Sequence, residues 1–241
     1  MTITYQNRLP DPTNGIGNAG QNSGAAGPGF ASVSLTSSSP VMKTRTNSGR
    51  TIARAVAGQR WDIDISYNPM TRAQFEPIYN FLLNRRGGLK PFQVSLPQYA
   101  LPQNTTFSNY AVAAPTGIRT HNPSANVASG VTEMLIDGLS ASSGDPSPGD
   151  LFTITDAGDS NHTKVYRVTQ VETNSTYNTL QPTAAQRIVH FIPGLSRAVQ
   201  NNSILVFANP LIRVVATDSQ EYSLGANGLY NFSLKLEEAQ P

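Results

Sequence analysis

The sequence predicts a mainly β protein with one helix, and three observations carry that expectation. Only 13% of the 241 residues are charged, while Gly, Pro, Asn, Ser and Thr are plentiful, as in chains built of short strands and many turns. Apolar and polar residues alternate with a period of two in several short runs, the pattern of half-buried strands. One stretch, about residues 71 to 86, shows the helical period instead.

Residues 11 to 32 are rich in Gly, Asn and Ser and almost empty of large apolar groups, so residues 1 to 32 read as an extended arm without a packed element of its own. That arm is expected to be a loose tail or to order against a neighbouring subunit. Gly15, Gly17 and Gly20 satisfy the letter of a G-x-G-x-x-G phosphate loop, but no strand precedes them and no helix follows, so the match carries no chemistry. Residues 33 to 46 hold short strand-like pieces broken at Pro40, and residues 48 to 58 read as a polar bend.

Trp61, Ile63, Ile65 and Tyr67 alternate with Asp62, Asp64 and Ser66, which gives a strand with one core face and one polar face. Asn68 and Pro69 end it. Thr71 and Gln74 have the spacing of a capping box, and Met70 and Phe75 that of a hydrophobic staple, so a helix is predicted from there. Phe75, Ile78, Tyr79 and Leu82 form its apolar stripe, and Arg85, Arg86 and Gly87 close it. Pro77 is expected to kink the helix or delay its start. Phe92, Val94 and Leu96 then alternate as a second strand, ended by Pro97.

Residues 98 to 126 read as a loop. Beyond it, short strands and turns alternate at a spacing of roughly 8 to 12 residues, the signature of a small barrel or sandwich. Strands are expected over residues 131–136, 151–154, 165–171, 178–181, 187–191 and 203–207, with a hairpin tip at 156–162. The chain then returns to the earlier pattern: a strand at 211–217, a turn at 225–228, and Tyr230, Phe232, Leu234 and Leu236 alternating over residues 229–238. Their apolar face needs a partner, and the Trp61 and Phe92 strands supply one. This divides the chain into an arm (1–32), a split domain (33–125 and 208–241) and an insertion (126–207).

Composition excludes several function classes. Without cysteine there is no thiolate metal site, no cysteine nucleophile and no disulfide. A formal charge of +2, from 17 basic and 15 acidic residues without a basic block, is not that of a nucleic-acid binder. No run is apolar enough to span a membrane, and the N-terminus lacks a charged region followed by an apolar run, so a soluble protein made in a cytoplasm is expected. His121, His162 and His190 lack metal-ligand spacing, and Asp156, Asp159 and Asn161 lack the Gly and Glu that complete a calcium loop. Asp62 and Asp64 share a strand face but are too few for a cation. No catalytic, cofactor or metal residues can be assembled, so the chain reads as non-enzymatic.

LTSSS with VMKTRTNSGR, the RWDIDISY strand, the helix MTRAQFEPIYNFLLNRRGG and the KPFQVSLP strand together resemble the ring-forming distal tail and tail-tip proteins of bacteriophages. The inserted segment adds Gly149 to Ile154, Tyr166 to Val168 and Thr179 to Pro182. The resemblance implies a tail-tube-like β-sandwich with a flanking helix and an inserted small β-barrel. It further implies a structural virion protein that forms a homo-oligomeric ring, a hexamer, between the tail tube and the hub, baseplate or tail tip. DNA passes such a ring without specific binding. In that setting Asp62 and Asp64 would face a neighbour or the lumen, where carboxylates repel phosphates.

Competing expectations are a head-to-tail connector, a baseplate wedge, a cell-wall hydrolase and a carbohydrate-binding module. The last would use exposed aromatic platforms drawn from Phe152, Tyr166, Tyr177 and Phe191.

Overall fold

A computed structural model describes residues 7–15, 26–55, 58–122, 125–173, 183–217 and 221–239. The chain divides into two compact units, one of residues 1–94 and 213–239, the other of residues 95–212 with 240–241. Both are dominated by strands, the mainly β fold that the alternating runs predict.

The first unit is built on a six-stranded sheet in the order β1 (Phe30–Ser38), β4 (Arg60–Tyr67), β14 (Tyr230–Glu238), β12 (Leu211–Ala216), β5 (Phe92–Ser95), with β13 (Tyr222–Leu224) pairing off this path on β14. Strand β14 lies antiparallel to β4, Leu236 opposite Ile63 and Leu234 opposite Ile65. The predicted alternation holds residue by residue: Trp61, Ile63, Ile65, Phe232, Leu234 and Leu236 are buried, while Asp64, Ser233 and Lys235 are exposed.

Helix α1 (Arg72–Asn84) packs on this sheet, with Phe75 edge-on to Phe232 and Phe81 edge-on to Phe92. Its start is as predicted. The Gln74 side chain accepts from the Thr71 backbone N–H at 3.1 Å, and Met70 and Phe75 are both buried. Pro77 sits inside the helix, which nevertheless begins without delay. The carbonyl four residues back belongs to exposed Ala73, where water can take the place of the missing N–H. The buried stripe is Phe75, Ile78, Phe81 and Leu82; Tyr79 lies at its margin. Arg86 already takes the left-handed conformation, at φ 54°, ahead of Gly87 at 62°.

Two features of this unit depart from the sequence expectations. Residues 51–55, expected as part of a polar bend, form β3 (Thr51–Ala55), which pairs with β2 (Val41–Arg45) in a two-stranded sheet of its own. Alternation could not reveal it, because Thr51 to Arg54 are all exposed and neither face is buried. The start of the arm is also packed: Leu9 and Pro10 are buried, and Arg8 bridges in parallel to Gln93 on β5. Asp11 is buried too, and it is held by the Arg8 guanidinium at 2.7 Å and the Thr13 backbone N–H at 2.7 Å.

The second unit is a closed barrel in the order β10-β7-β6-β11-β8-β9: β6 (Arg119–Thr120), β7 (Glu133–Asp137), β8 (Leu151–Thr155), β9 (Val165–Glu172), β10 (Arg187–Ile192), β11 (Ile204–Val206). The strand expected at 178–181 lies outside the described residues. A second helix, α2 (Thr105–Ala113), occupies the stretch expected to be a loop. Asn104 caps it, its side-chain oxygen accepting from the N–H groups of Thr106 at 3.0 Å and Phe107 at 3.3 Å. Phe107 and Ala111 on α2, and Ile118 after it, share one buried cluster with Ile136, Phe152, Tyr166, Phe191 and Phe207. Residues 98–125 therefore belong with the barrel rather than with the first unit, because their apolar side chains complete its core.

Candidate assembly surfaces

Three surfaces of the first unit stand out among the described residues. The first is the outer edge of β1. This nine-residue strand pairs with β4 on one side and, among the described residues, with no strand on the other. Its sequence, FASVSLTSS, contains no charge and no proline, the devices that normally blunt an exposed edge. Val33 and Leu35 lie opposite the fully buried Ile65 and Ile63 yet are only half-buried themselves. The core is unfinished at this edge.

The second surface is the β2–β3 hairpin. Val41 (45%), Met42 (68%) and Ile52 (51%) are exposed on it, together with Lys43, Arg45, Arg50 and Arg54. The sequence reading saw no basic block; the hairpin gathers four cations and no acid into one element. Among the described residues none of the four is in an ion pair.

A third is aromatic. Phe75 is buried under three tyrosines, with ring centroids 5.2 Å from Tyr79, 4.9 Å from Tyr222 and 4.6 Å from Tyr230. Tyr222 and Leu224 on β13 are exposed.

Asp62 and Asp64 lie on the polar face of β4 as expected. Asp62 stands opposite Glu237, and Arg60 reaches both, at 3.5 Å and 2.8 Å; Asp64 stands opposite Lys235. Arg60 thus offsets the repulsion between Asp62 and Glu237, and Asp64 and Lys235 are opposite charges across the strands.

The histidines are spread over the barrel. Nδ1 of His121 is 2.8 Å from Asp137, and Nε2 of His190 is 2.6 Å from Glu172. His162 is buried with its Nε2 2.9 Å from the Tyr166 hydroxyl, and its Nδ1 has no hydrogen-bond partner among the described residues. Burial pushes the His162 imidazole below its ordinary value, against the nearby carboxylates of Asp156 and Asp159. Asp156 and Asp159 are occupied by turn backbone: Asp156 accepts from the N–H of Gly158 at 2.8 Å and of Gln200 at 3.0 Å, and Asp159 from that of Asn161 at 2.9 Å. That bond, with Arg197 at 3.0 Å, lowers the Asp159 carboxyl below the usual range. Among the described residues no group of three or more acids and histidines is placed to hold a metal ion.

A cleft of about 400 Å³ in the barrel unit is lined by Asn104, Asp145, Ser147, Thr169, Gln170 and Thr173, with two prolines. The aromatic residues weighed as sugar platforms do not line it. Phe152, Tyr166 and Phe191 are wholly buried in the barrel core, where alternation alone would have left about half of the set outside. Tyr177 lies outside the described residues.

No helix of the described residues is long and apolar enough to cross a membrane. None of the curated proteins matches the chain. Residues 9–99, which hold the arm's anchor, β1, the hairpin, β4, α1 and β5, match the family model described as distal tail protein pb9, A domain, N-terminal. Through this stretch, which is less than half of the chain, it is similar to the distal tail proteins of bacteriophages, and the match supports a structural role in the phage tail.

Proposed function

We propose that the chain assembles as a ring, a hexamer, at the distal end of the tail, joining the tail tube to the hub, baseplate or tail tip around the DNA channel. The β1 edge carries this reading. A long, uncharged, proline-free edge with half-covered Val33 and Leu35 is completed when a neighbouring copy covers it. A contact between two different surfaces of one chain repeats from copy to copy, and it gives a ring where its rotation closes.

In this reading the barrel is a domain inserted into the split first domain, and the protein has no catalytic role. DNA passes without specific binding, Asp62 and Asp64 face the lumen or a neighbour, and the chain is made in the host cytoplasm before entering the virion.

Light scattering on a concentration series, with and without purified tail-tube and baseplate proteins, tests it. A closed oligomer, or a monomer that becomes one on a tail partner, is the expected result. A monomer indifferent to every tail protein overturns the reading.

A further inference from the structure

The first unit leaves two chemically matched surfaces open. On the hairpin, Met42 pairs with Arg54 and Thr44 with Ile52, so Met42, Thr44, Ile52 and Arg54 share one face. Met42 and Ile52 are 68% and 51% exposed there. A two-stranded hairpin is marginal in water by itself, so this one gains from a surface to lie on.

The aromatic surface offers what that face lacks. Tyr79, Tyr222 and Tyr230 present ring area around Phe75, Leu224 extends it as a 58% exposed apolar residue, and exposed Glu221 borders it. A guanidinium favours the face of an aromatic ring, and a thioether favours its edge. Exposed Tyr, Arg and Met are also the side chains that concentrate at the centres of protein interfaces.

We propose that the Met42, Ile52 and Arg54 face of the hairpin seats on the Tyr79, Tyr222, Tyr230 and Leu224 surface of a second copy of this chain. Arg54 lies against the tyrosine rings with Glu221 beside it, while Met42 and Ile52 cover Leu224. The contact rests on the ring reading above and names its partner surfaces. Because each copy carries one of each surface, the contact can propagate head-to-tail from copy to copy.

The chain has no cysteine, so introduced pairs report the contact directly. Full-length protein carrying both Ile52→Cys and Leu224→Cys is oxidised at concentrations where light scattering finds an oligomer. The expected product is a ladder of linked copies ending at the ring size. Mixing the two single variants should stop at linked dimers, and each single variant alone should give no link. Tyr222→Ala and Arg54→Ser should each weaken association about tenfold or more with unchanged circular dichroism. An oligomer that forms without the Ile52 to Leu224 link overturns this contact and leaves the ring reading standing. A monomer at every concentration, with or without tail proteins, overturns both.

Discussion

The backbone N–H of Leu9 donates to the carbonyl of Gln93 at 2.8 Å, and the Leu9 side chain is wholly buried. Gln93 in turn donates to the carbonyl of Asn7 at 2.9 Å, so the start of the arm extends the sheet beyond β5. This edge is covered from within the same chain; among the described residues the β1 edge is not. Leu9→Ala should cost about 2–5 kcal/mol, the range for a buried leucine, read by urea denaturation. A change near zero would return this segment to the status of a loose tail.

Trp61→Ala removes the largest wholly buried side chain of the first unit and should cost about 3–5 kcal/mol. Fluorescence no longer reports in this variant, since Trp61 is the single tryptophan, so the loss is followed by circular dichroism. A near-neutral result would place β4 at the surface.

The inserted barrel should be separable, but only with the right boundaries. A fragment of residues 95–212 keeps Phe107, Ala111 and Ile118 in the core cluster and should unfold cooperatively. A fragment of residues 126–207 lacks those three side chains and strand β6, which leaves the barrel open between β7 and β11, and it should not fold. Equal behaviour of the two fragments would show that α2 is dispensable.

Gly138 tests the turn that closes β7. Its φ is +84°, and a Cβ there would lie 1.9 Å from the carbonyl oxygen of Gly117. Gly138→Ala should therefore destabilise the barrel by about 2 kcal/mol or more. An unchanged melting midpoint would mean that the Gly117 loop gives way freely.

The barrel should also lose stability on mild acidification. Burial disfavours the charged form of His162, so its folded value lies below the unfolded one. As pH falls from about 7 to about 5, the unfolded chain takes up a proton that the folded chain resists, and the balance shifts toward unfolding. The stability is present above the ordinary histidine value and is lost as pH falls through the folded one. Asp159, also lowered, adds a loss of the same sign at more acidic pH. His162→Gln should flatten the first part of this dependence, measured as the urea midpoint against pH. An unchanged slope would assign it to other groups.

The parts of the fold legible in the sequence were those where one face is buried and the other wet. Residues 61–67 and 230–236 alternate because they cover a core, and the Thr71 to Gln74 cap announced α1 before its stripe began. Helix α2 escaped because nine residues offer little period, and its signal reduces to the Asn104 cap followed by Phe107 and Ala111. Strand β3 escaped because neither face is buried. Leu9 escaped because its partner on β5 lies far along the chain and the surrounding composition is that of a linker.

The assembly surfaces were less legible still. Whether β1 is an edge depends on strand order, which no local pattern encodes. Tyr79 reads as one more core residue of the helical stripe until Tyr222 and Tyr230 are seen beside it.

Strand β14 lies between β4 and β12, although it is the last of the strands to be synthesised. On the ribosome, the barrel's segments have all emerged before β14 exists, while β4 waits with a bare flank. Only β14 can seal that gap. Translation that stops before Tyr230 leaves the first unit without its central strand, with bare flanks on both β4 and β12. Strand order thus makes closure of this sheet wait for β14, however early its other strands emerge.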